Sequence, residues 1–259
     1  MNKTLLEIAD SWVWFPPTVK VIREPEFTLA VNPMDKNDNV VHISQTTDPA
    51  ALITHVEGLV KKEGGQTIKW WVLAASRPRN MHGILSDHGY IATEIVEVLT
   101  WPLGDAATPH LPWPELPLTN VGRPESEGNI TAAVRLLAAV FNNPTPSLDE
   151  LSLAVQSWRE KPMTANGYYI ARDTTGTIVG AAGLTVDGLV GKFWGAGIHP
   201  KWRGQGLYRQ LVKLRARVAS ENGAGHCLVK ARVGTSGPIL RQAGFHLLAT
   251  EVCYHRTLS

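Results

Sequence analysis

The sequence predicts an α+β fold made of two related halves, and three observations support this prediction. Apolar runs typical of strands, such as Leu189–Ile198, alternate with amphipathic patterns typical of helices, such as Leu207–Glu221. A pattern of Ile, Leu, Gly and an aromatic residue occurs at Ile84–Tyr90 and again at Ile239–Phe245. Five prolines between residues 101 and 118 can continue neither a helix nor a central strand, and therefore mark a boundary.

The order of the predicted elements is also repeated. In each half a helix (Ala50–Lys62 and Leu207–Glu221) precedes an apolar strand, which is followed by a short helix, the Gly–aromatic pair and a last strand. One short match could arise by chance, but this order is harder to obtain twice. We therefore predict a first domain over residues 1–100, a Pro-rich linker over 101–117 and a second domain over 118–259.

The elements of the second half are bounded by clear start and end signals. Ser147 followed by Glu150 predicts a capping box, Asp173–Gly176 a hairpin turn, and Asn222–Gly223 the end of a helix. Apolar spacing then predicts a strand at 118–122, a helix at 130–141, a helix after Ser147, strands at 167–172, 177–185 and 189–198, a helix at 207–221, a strand at 227–232, a helix at 236–243 and a strand at 245–258.

The turn before the long helix has the composition of an anion site. A strand and Pro200 lead into Arg203-Gly204-Gln205-Gly206, and the helix begins directly afterwards. Glycines let main-chain N–H groups approach an anion, and a helix start adds partial positive charge. Lys201 and Arg203 add full positive charges, so the turn is a candidate binding site for a pyrophosphate.

This turn resembles the acetyl-CoA loop of the GNAT family of N-acyltransferases, and Ser236–Phe245 resembles a later motif of the same family. The resemblance covers about residues 117–259. It implies a mixed sheet wrapped by helices, so that the whole chain is predicted to be a tandem pair of GNAT-like sheets arising from duplication. It also implies an acetyl-CoA site formed by Ala196, Gly197, Ile198, Arg203, Gly204, Gln205, Gly206, Leu207, Tyr208 and Ser236.

The sequence departs from the family pattern in four places. Tyr208 stands where the loop usually closes on Gly or Ala, and Val233 replaces an asparagine. Leu240 replaces the tyrosine that often acts as general acid, and Leu228 replaces a glutamate found in some members. The cofactor loop is therefore well preserved, whereas the usual catalytic pair is missing.

Acyl transfer to an amine needs a base, because a lysine-like ammonium has a pKa near ~10.4. The base is predicted among Glu127, His199 and Glu251, with Asp187 and His255 also considered. An acid for the leaving thiolate would come from Tyr208, Ser236 or Tyr254, unless the thiolate leaves without one. Trp194, on the strand before the loop, is a candidate substrate contact.

The first half has no anion loop. Its helix is preceded by Asp48 as N-cap and Pro49 at the first helical position, a good helix start that places a carboxylate where a phosphate would bind. We therefore expect one acetyl-CoA site per chain, in the second half.

Composition limits the function classes. A formal charge of +2 over 259 residues argues against a general nucleic-acid binder, and no apolar run is long enough to span a membrane. Cys227 and Cys253 are expected to be buried free thiols, which suits the cytoplasm, and no His/Cys spacing indicates a metal site. A dinucleotide-binding fold is disfavoured because its third glycine would fall at Arg209.

The function expected from the resemblance is an acetyl-CoA-dependent N-acetyltransferase acting on a small-molecule amine. A catalytically inactive acyl-CoA-binding or interaction protein is the first alternative, and a protein or peptide N-acetyltransferase is the second.

Overall fold

The computed structural model describes residues 4–13, 19–32, 39–104, 113, 120–160 and 165–258. The chain divides into two compact units. The first unit comprises Met1–Leu99, Ala231–Pro238 and Leu247–Ser259, and the second comprises Thr100–Lys230 and Ile239–His246. The division is therefore not the contiguous one predicted from sequence, because the end of the chain groups with the first unit. Most of the predicted linker 101–117 lies outside the described residues.

The first half of the chain contains α1 (Leu5–Ser11), β1 (Lys20–Glu24), β2 (Phe27–Val31), β3 (Val40–Ile43), α2 (Pro49–Lys62), β4 (Thr67–Val72), α3 (Met81–Asp87) and β5 (Ile91–Pro102). Strands β1, β2 and β3 pair antiparallel, and β3 pairs parallel with β4. The next neighbour of β4 in the first unit is the last strand of the chain, β11 (His246–Thr257), which pairs antiparallel with it.

The second half contains β6 (Val121–Gly122), α4 (Glu127–Val140), α5 (Leu148–Glu160), β7 (Gly167–Arg172), β8 (Ile178–Asp187), β9 (Val190–Ile198), α6 (Leu207–Glu221), β10 (His226–Arg232) and α7 (Ser236–Gln242). In the second unit β6, β7, β8 and β9 pair antiparallel in chain order, and β9 pairs parallel with β10. Both halves thus have antiparallel strands followed by a parallel crossover through one helix, the GNAT-like mixed sheet implied by the resemblance.

Helices cover the two faces of the sheet in the second unit. The buried Ala133 and Leu137 of α4 pack against Ile170 and Ala181. Phe193 lies under the α6 side chain Arg215, so α6 covers the other face. In the first unit, α2 buries Leu52, Ile53, Val56 and Val60 in a core that also contains Trp70 and Tyr90.

The repeated Gly–aromatic pattern has the same geometry in both halves. Gly89 and Gly244 have φ of 79° and 84°. The N–H of Tyr90 donates to the Leu85 carbonyl, and the N–H of Phe245 donates to the Leu240 carbonyl, each at 3.0 Å. A left-handed glycine is the usual way to end a helix, so the matching residues perform the same task twice.

Most predicted elements of the second half are confirmed to within a few residues. The capping box is present, since Ser147 Oγ accepts from the Glu150 N–H and the Glu150 carboxylate accepts from the Ser147 N–H. The helix predicted at 130–141 starts earlier, at Glu127, because Ser126 caps it. The strand predicted at 118–122 is described only at Val121–Gly122.

One correction and three further findings concern the rest of the chain. Trp101 and Pro102 end β5 and do not belong to a linker, whereas Ser236 is the first residue of α7, as predicted. Cys227 and Cys253 are buried free thiols, as predicted. No helix in the described part of the chain is long and apolar enough to cross a membrane.

Candidate acyl-CoA site

The turn between β9 and α6 is held in shape by local hydrogen bonds. Residues Pro200–Trp202 form a single 3₁₀ turn, and His199 Nδ1 accepts from the Lys201 N–H at 3.3 Å. Arg203 Nε donates to the Ile198 carbonyl at 3.1 Å, which ties the loop back to the end of β9. Gly204 and Gly206 have φ of 79° and 80°, a conformation that side chains other than glycine disfavour.

The same turn presents main-chain donors in a positive environment. Within the described residues, the N–H groups of Gly204, Gln205, Gly206 and Leu207 have no main-chain acceptor. The first turn of α6 contains no acidic residue, and Gly206 at its N-cap makes no side-chain cap. The helix therefore starts with unpaired donors and the positive end of its dipole, which together favour an anion such as a phosphate.

The strand before the loop has an unpaired edge. The parallel ladder of β9 with β10 ends at Phe193 and Val229, although β9 continues to Ile198. The ladder of β9 with β8 shifts register between Ala181 and Gly183, and Gly195 in this bulge has φ of 56°. From Trp194 onward, main-chain groups on the β10 side of β9 are therefore available to bind an extended ligand.

In the first half, the end of β3 is paired and the N-terminus of α2 is capped. The β3–β4 ladder reaches His42 and Trp71, and an isolated parallel bridge between Gln45 and Arg77 continues it. Asp48 caps α2, and its carboxylate accepts from the Ala51 N–H at 3.0 Å. The N-terminus of this helix thus already has an anion supplied by its own chain.

The three base candidates lie in different surroundings. Glu127 is exposed at the start of α4 and accepts from Arg159 Nε of α5 at 3.0 Å. His199 is half-buried beside the loop, where its Nδ1 accepts from the Lys201 N–H and caps the 3₁₀ turn. Glu251 is buried and belongs to the first unit, whereas the loop belongs to the second.

The acid candidates also belong to different units. Ser236 and Tyr254 both belong to the first unit, and the Tyr254 hydroxyl is hydrogen-bonded to His82 Nδ1 at 3.2 Å. Tyr208 is half-buried in the first turn of α6. Leu228 and Leu240, at the positions of the family's glutamate and tyrosine, are fully buried core residues.

Trp194 is part of an aromatic pair that sequence reasoning found only in part. Its ring lies directly over Gly183, where a Cβ would come within 2.1 Å of the indole. Its Nε1 donates to Thr185 Oγ1 at 3.0 Å, and Tyr168 packs edge-on with ring centroids 5.1 Å apart. Burial raises the pKa of Tyr168, so its phenol stays protonated. The signal for this pair was the small residue opposite the tryptophan.

No group of three His, Cys, Asp or Glu side chains within the described residues could hold a metal ion. The site is therefore described by its main-chain donors, cations and aromatic rings alone.

Comparison with known proteins agrees with this geometry. Residues 135–238 match the model of the acetyltransferase (GNAT) family, and the matched segment contains the C-terminal part of α4, β9, the loop and α6. This segment of the chain is therefore similar to a GNAT acetyltransferase domain. No curated protein matches the chain in sequence.

Solved structures extend the likeness over both halves. A GCN5-related N-acetyltransferase from Sphaerobacter thermophilus is 18% identical, with 97% of this chain and 84% of that chain covered and a TM-score of 0.66. One from Kribbella flavida is 17% identical, with 93% and 91% covered and a TM-score of 0.63. A tandem GNAT protein from the clavulanic acid biosynthesis pathway is 14% identical, with 96% and 86% covered and a TM-score of 0.59. These likenesses show a duplicated GNAT-like fold.

Proposed function

We propose that the chain is an N-acetyltransferase that moves an acetyl group from acetyl-CoA to the amine of a small molecule. The observation that carries this proposal is the combination, in one strand–loop–helix unit, of the unpaired end of β9 and the uncapped glycine-rich start of α6. The first half has neither feature, so we propose one acetyl-CoA site per chain.

The loop residues would bind the pyrophosphate. Residues Arg203, Gly204, Gln205, Gly206, Leu207 and Tyr208 form the loop and the start of α6, where negative charge is favoured. The main-chain edge at Ala196, Gly197 and Ile198 would hold the pantetheine arm and place an N–H against the acyl carbonyl. Such a donor lowers the barrier because charge develops on that oxygen during attack.

The reaction also needs a base for the amine and a way for the thiolate to leave. Among Glu127, His199 and Glu251, His199 lies next to the loop in sequence and belongs to the same unit as the loop. Glu127 is engaged with Arg159. The buried Leu240 can donate no proton, so we propose that the thiolate leaves without a tyrosine at that position.

The acceptor is proposed to contact Trp194 beside the bulge of β9. An indole next to Tyr168 offers an aromatic surface that binds apolar rings and, through its quadrupole, cations such as an ammonium. This surface favours a small amine with an apolar body.

Two observations favour an alternative, an acyl-CoA-binding protein without turnover: Leu228 and Leu240 are core residues, and Glu251 and Ser236 belong to the other unit. Calorimetry with CoA and acetyl-CoA, followed by thiol release with a panel of small amines and peptides, separates the functions. One site per chain with turnover on a small amine supports the proposal. Turnover on peptides alone favours the protein acetyltransferase, and two equivalent sites or none would contradict the acetyl-CoA assignment.

A further inference from the structure

Arg215 is a buried cation that the proposed chemistry does not use. It lies in the middle of α6 and is 1% exposed. No Asp or Glu in the described part of the chain forms an ion pair with it, and burial lowers the pKa of its guanidinium to about 10. It is therefore charged at neutral pH. Burying an unpaired charge costs free energy. The hydrogen bonds of the guanidinium therefore show which groups the side chain holds in place.

The guanidinium connects α6 to the two central strands of the second unit. Nε donates to the carbonyl of Leu211 one turn earlier, at 3.1 Å. Nη1 donates to the carbonyl of Gly183 on β8, at 3.0 Å. The guanidinium carbon also lies 4.6 Å from the ring centroid of Phe193 on β9. One planar group thus holds a helix carbonyl and a strand carbonyl at the same time.

The Gly183 carbonyl lies at the bulge of the β8–β9 ladder. Gly183 pairs with Trp194 and Ala181 pairs with Gly197, so β9 has one more residue than β8 in this interval. A bulge disrupts the ladder locally and changes the direction of the strand. At this point the Gly183 carbonyl of β8 accepts a hydrogen bond from the Arg215 side chain of α6.

We propose that Arg215 is a positioning residue, which fixes the bulge so that the main chain at 196–198 presents its donors to the acyl carbonyl. The inference rests on the proposed acetyl-CoA site. Arg215 belongs to α6, the helix that begins directly after the phosphate loop. Its contacts would therefore fix the distance between the proposed phosphate site and the bulge. A lysine offers a single point donor in place of the planar fork, and a methionine offers none.

The test uses the full chain with three variants. Arg215→Met keeps an unbranched apolar stem and removes the donors, and Arg215→Lys keeps the charge without the fork. Arg217→Met is the matched control, because Arg217 is exposed on the same helix and, among the described residues, forms an ion pair only with Glu221. Amide resonances of Gly195 and Gly197 in ¹⁵N spectra of the ligand-free protein report the bulge. The ¹³C resonance of the bound thioester carbonyl of labelled acetyl-CoA reports its polarisation.

In Arg215→Met we expect both glycine amides to shift and the bound carbonyl resonance to move towards its value in free acetyl-CoA, with the affinity for CoA unchanged. Arg215→Lys should shift the same resonances by less, and Arg217→Met should shift none. If Arg215→Met does not fold, Arg215→Lys decides alone. Unshifted glycine amides, or a loss of CoA affinity that parallels the carbonyl change, would overturn the proposal.

The two proposals fail in different ways. A wild-type protein that does not bind acetyl-CoA contradicts the proposed function, while the glycine amides still report whether Arg215 holds the bulge. A wild-type protein that binds acetyl-CoA, with unshifted amides in Arg215→Met, contradicts only the role of Arg215.

Discussion

Replacing Gly206 by valine should remove acyl-CoA binding from a protein that remains folded. Gly206 has φ of 80° at the N-cap of α6. A β-branched residue is strained in this conformation, and its Cβ would stand where the phosphate approaches the main chain. Relief of the strain requires the peptide to rotate, which turns the loop donors away from the ligand.

The expected magnitude follows from the donors that are lost. A hydrogen bond to a charged group contributes about 1.5–3 kcal/mol, so losing two weakens CoA binding by ~10²–10⁴-fold. The left-handed conformation costs a residue other than glycine about 1–2 kcal/mol, which is the expected decrease in the free energy of unfolding. Binding should therefore suffer more than stability.

Gly64 supplies the matched control. It also has φ of 80°, at the end of α2, and a Cβ built there meets no atom within 4 Å. Gly64→Val should lower the unfolding free energy by a similar amount and leave CoA binding unchanged. Titration calorimetry and urea unfolding on both variants measure the two effects. If Gly206→Val binds CoA like the wild type, the loop is not the phosphate site.

Three further predictions follow from the surroundings of particular residues. Burial raises the pKa of Cys227 to about 12 and of Cys253 to about 11, so neither thiol should react with a disulfide reagent until the protein unfolds. From about pH 8.5 upward the unfolded chain loses thiol protons that the folded chain keeps, so the unfolding free energy should fall as pH rises, less steeply in Cys227→Ala. Deleting Leu247–Ser259 removes the partner of β4 and the buried Tyr254, so amides of β4 should lose their protection from hydrogen exchange, and unchanged protection would contradict the unit division. With an amine acceptor the rate should rise with pH, and single alanine substitutions should lower kcat by at most ~10²–10⁴ at the three base candidates Glu127, His199 and Glu251.

The second half was predictable because its signals are local. Ser147 and Glu150 cap a helix within four residues, and the proposed anion site consists of main-chain groups whose positions the glycines set. In the first half, β2 (Phe27–Val31) has no polar alternation because four of its five side chains are buried, so periodicity could not distinguish it from a helix segment.

Other features depend on contacts distant in sequence. The sequence of β11 does not indicate that this strand pairs with β4. The bulge opposite Gly183 depends on how β8 and β9 are aligned. In the sequence, Arg215 is one of several basic residues of an amphipathic segment, together with Arg209, Lys213 and Arg217. Only the packed structure shows that its guanidinium points into the core.

The two crossover helices of the chain end alike and begin differently, and the difference supports the proposal of a single acyl-CoA site. After α2 and α6, Gly64 and Gly223 adopt left-handed conformations with φ of 80° and 86°, because both helices must turn back into a parallel strand. At the start, α2 has the Asp48 carboxylate bonded to its own N-terminal donor, whereas α6 has only Gly206. A helix N-terminus favours negative charge in either case. In the first half a side chain supplies it permanently, and in the second half we propose that a phosphate supplies it.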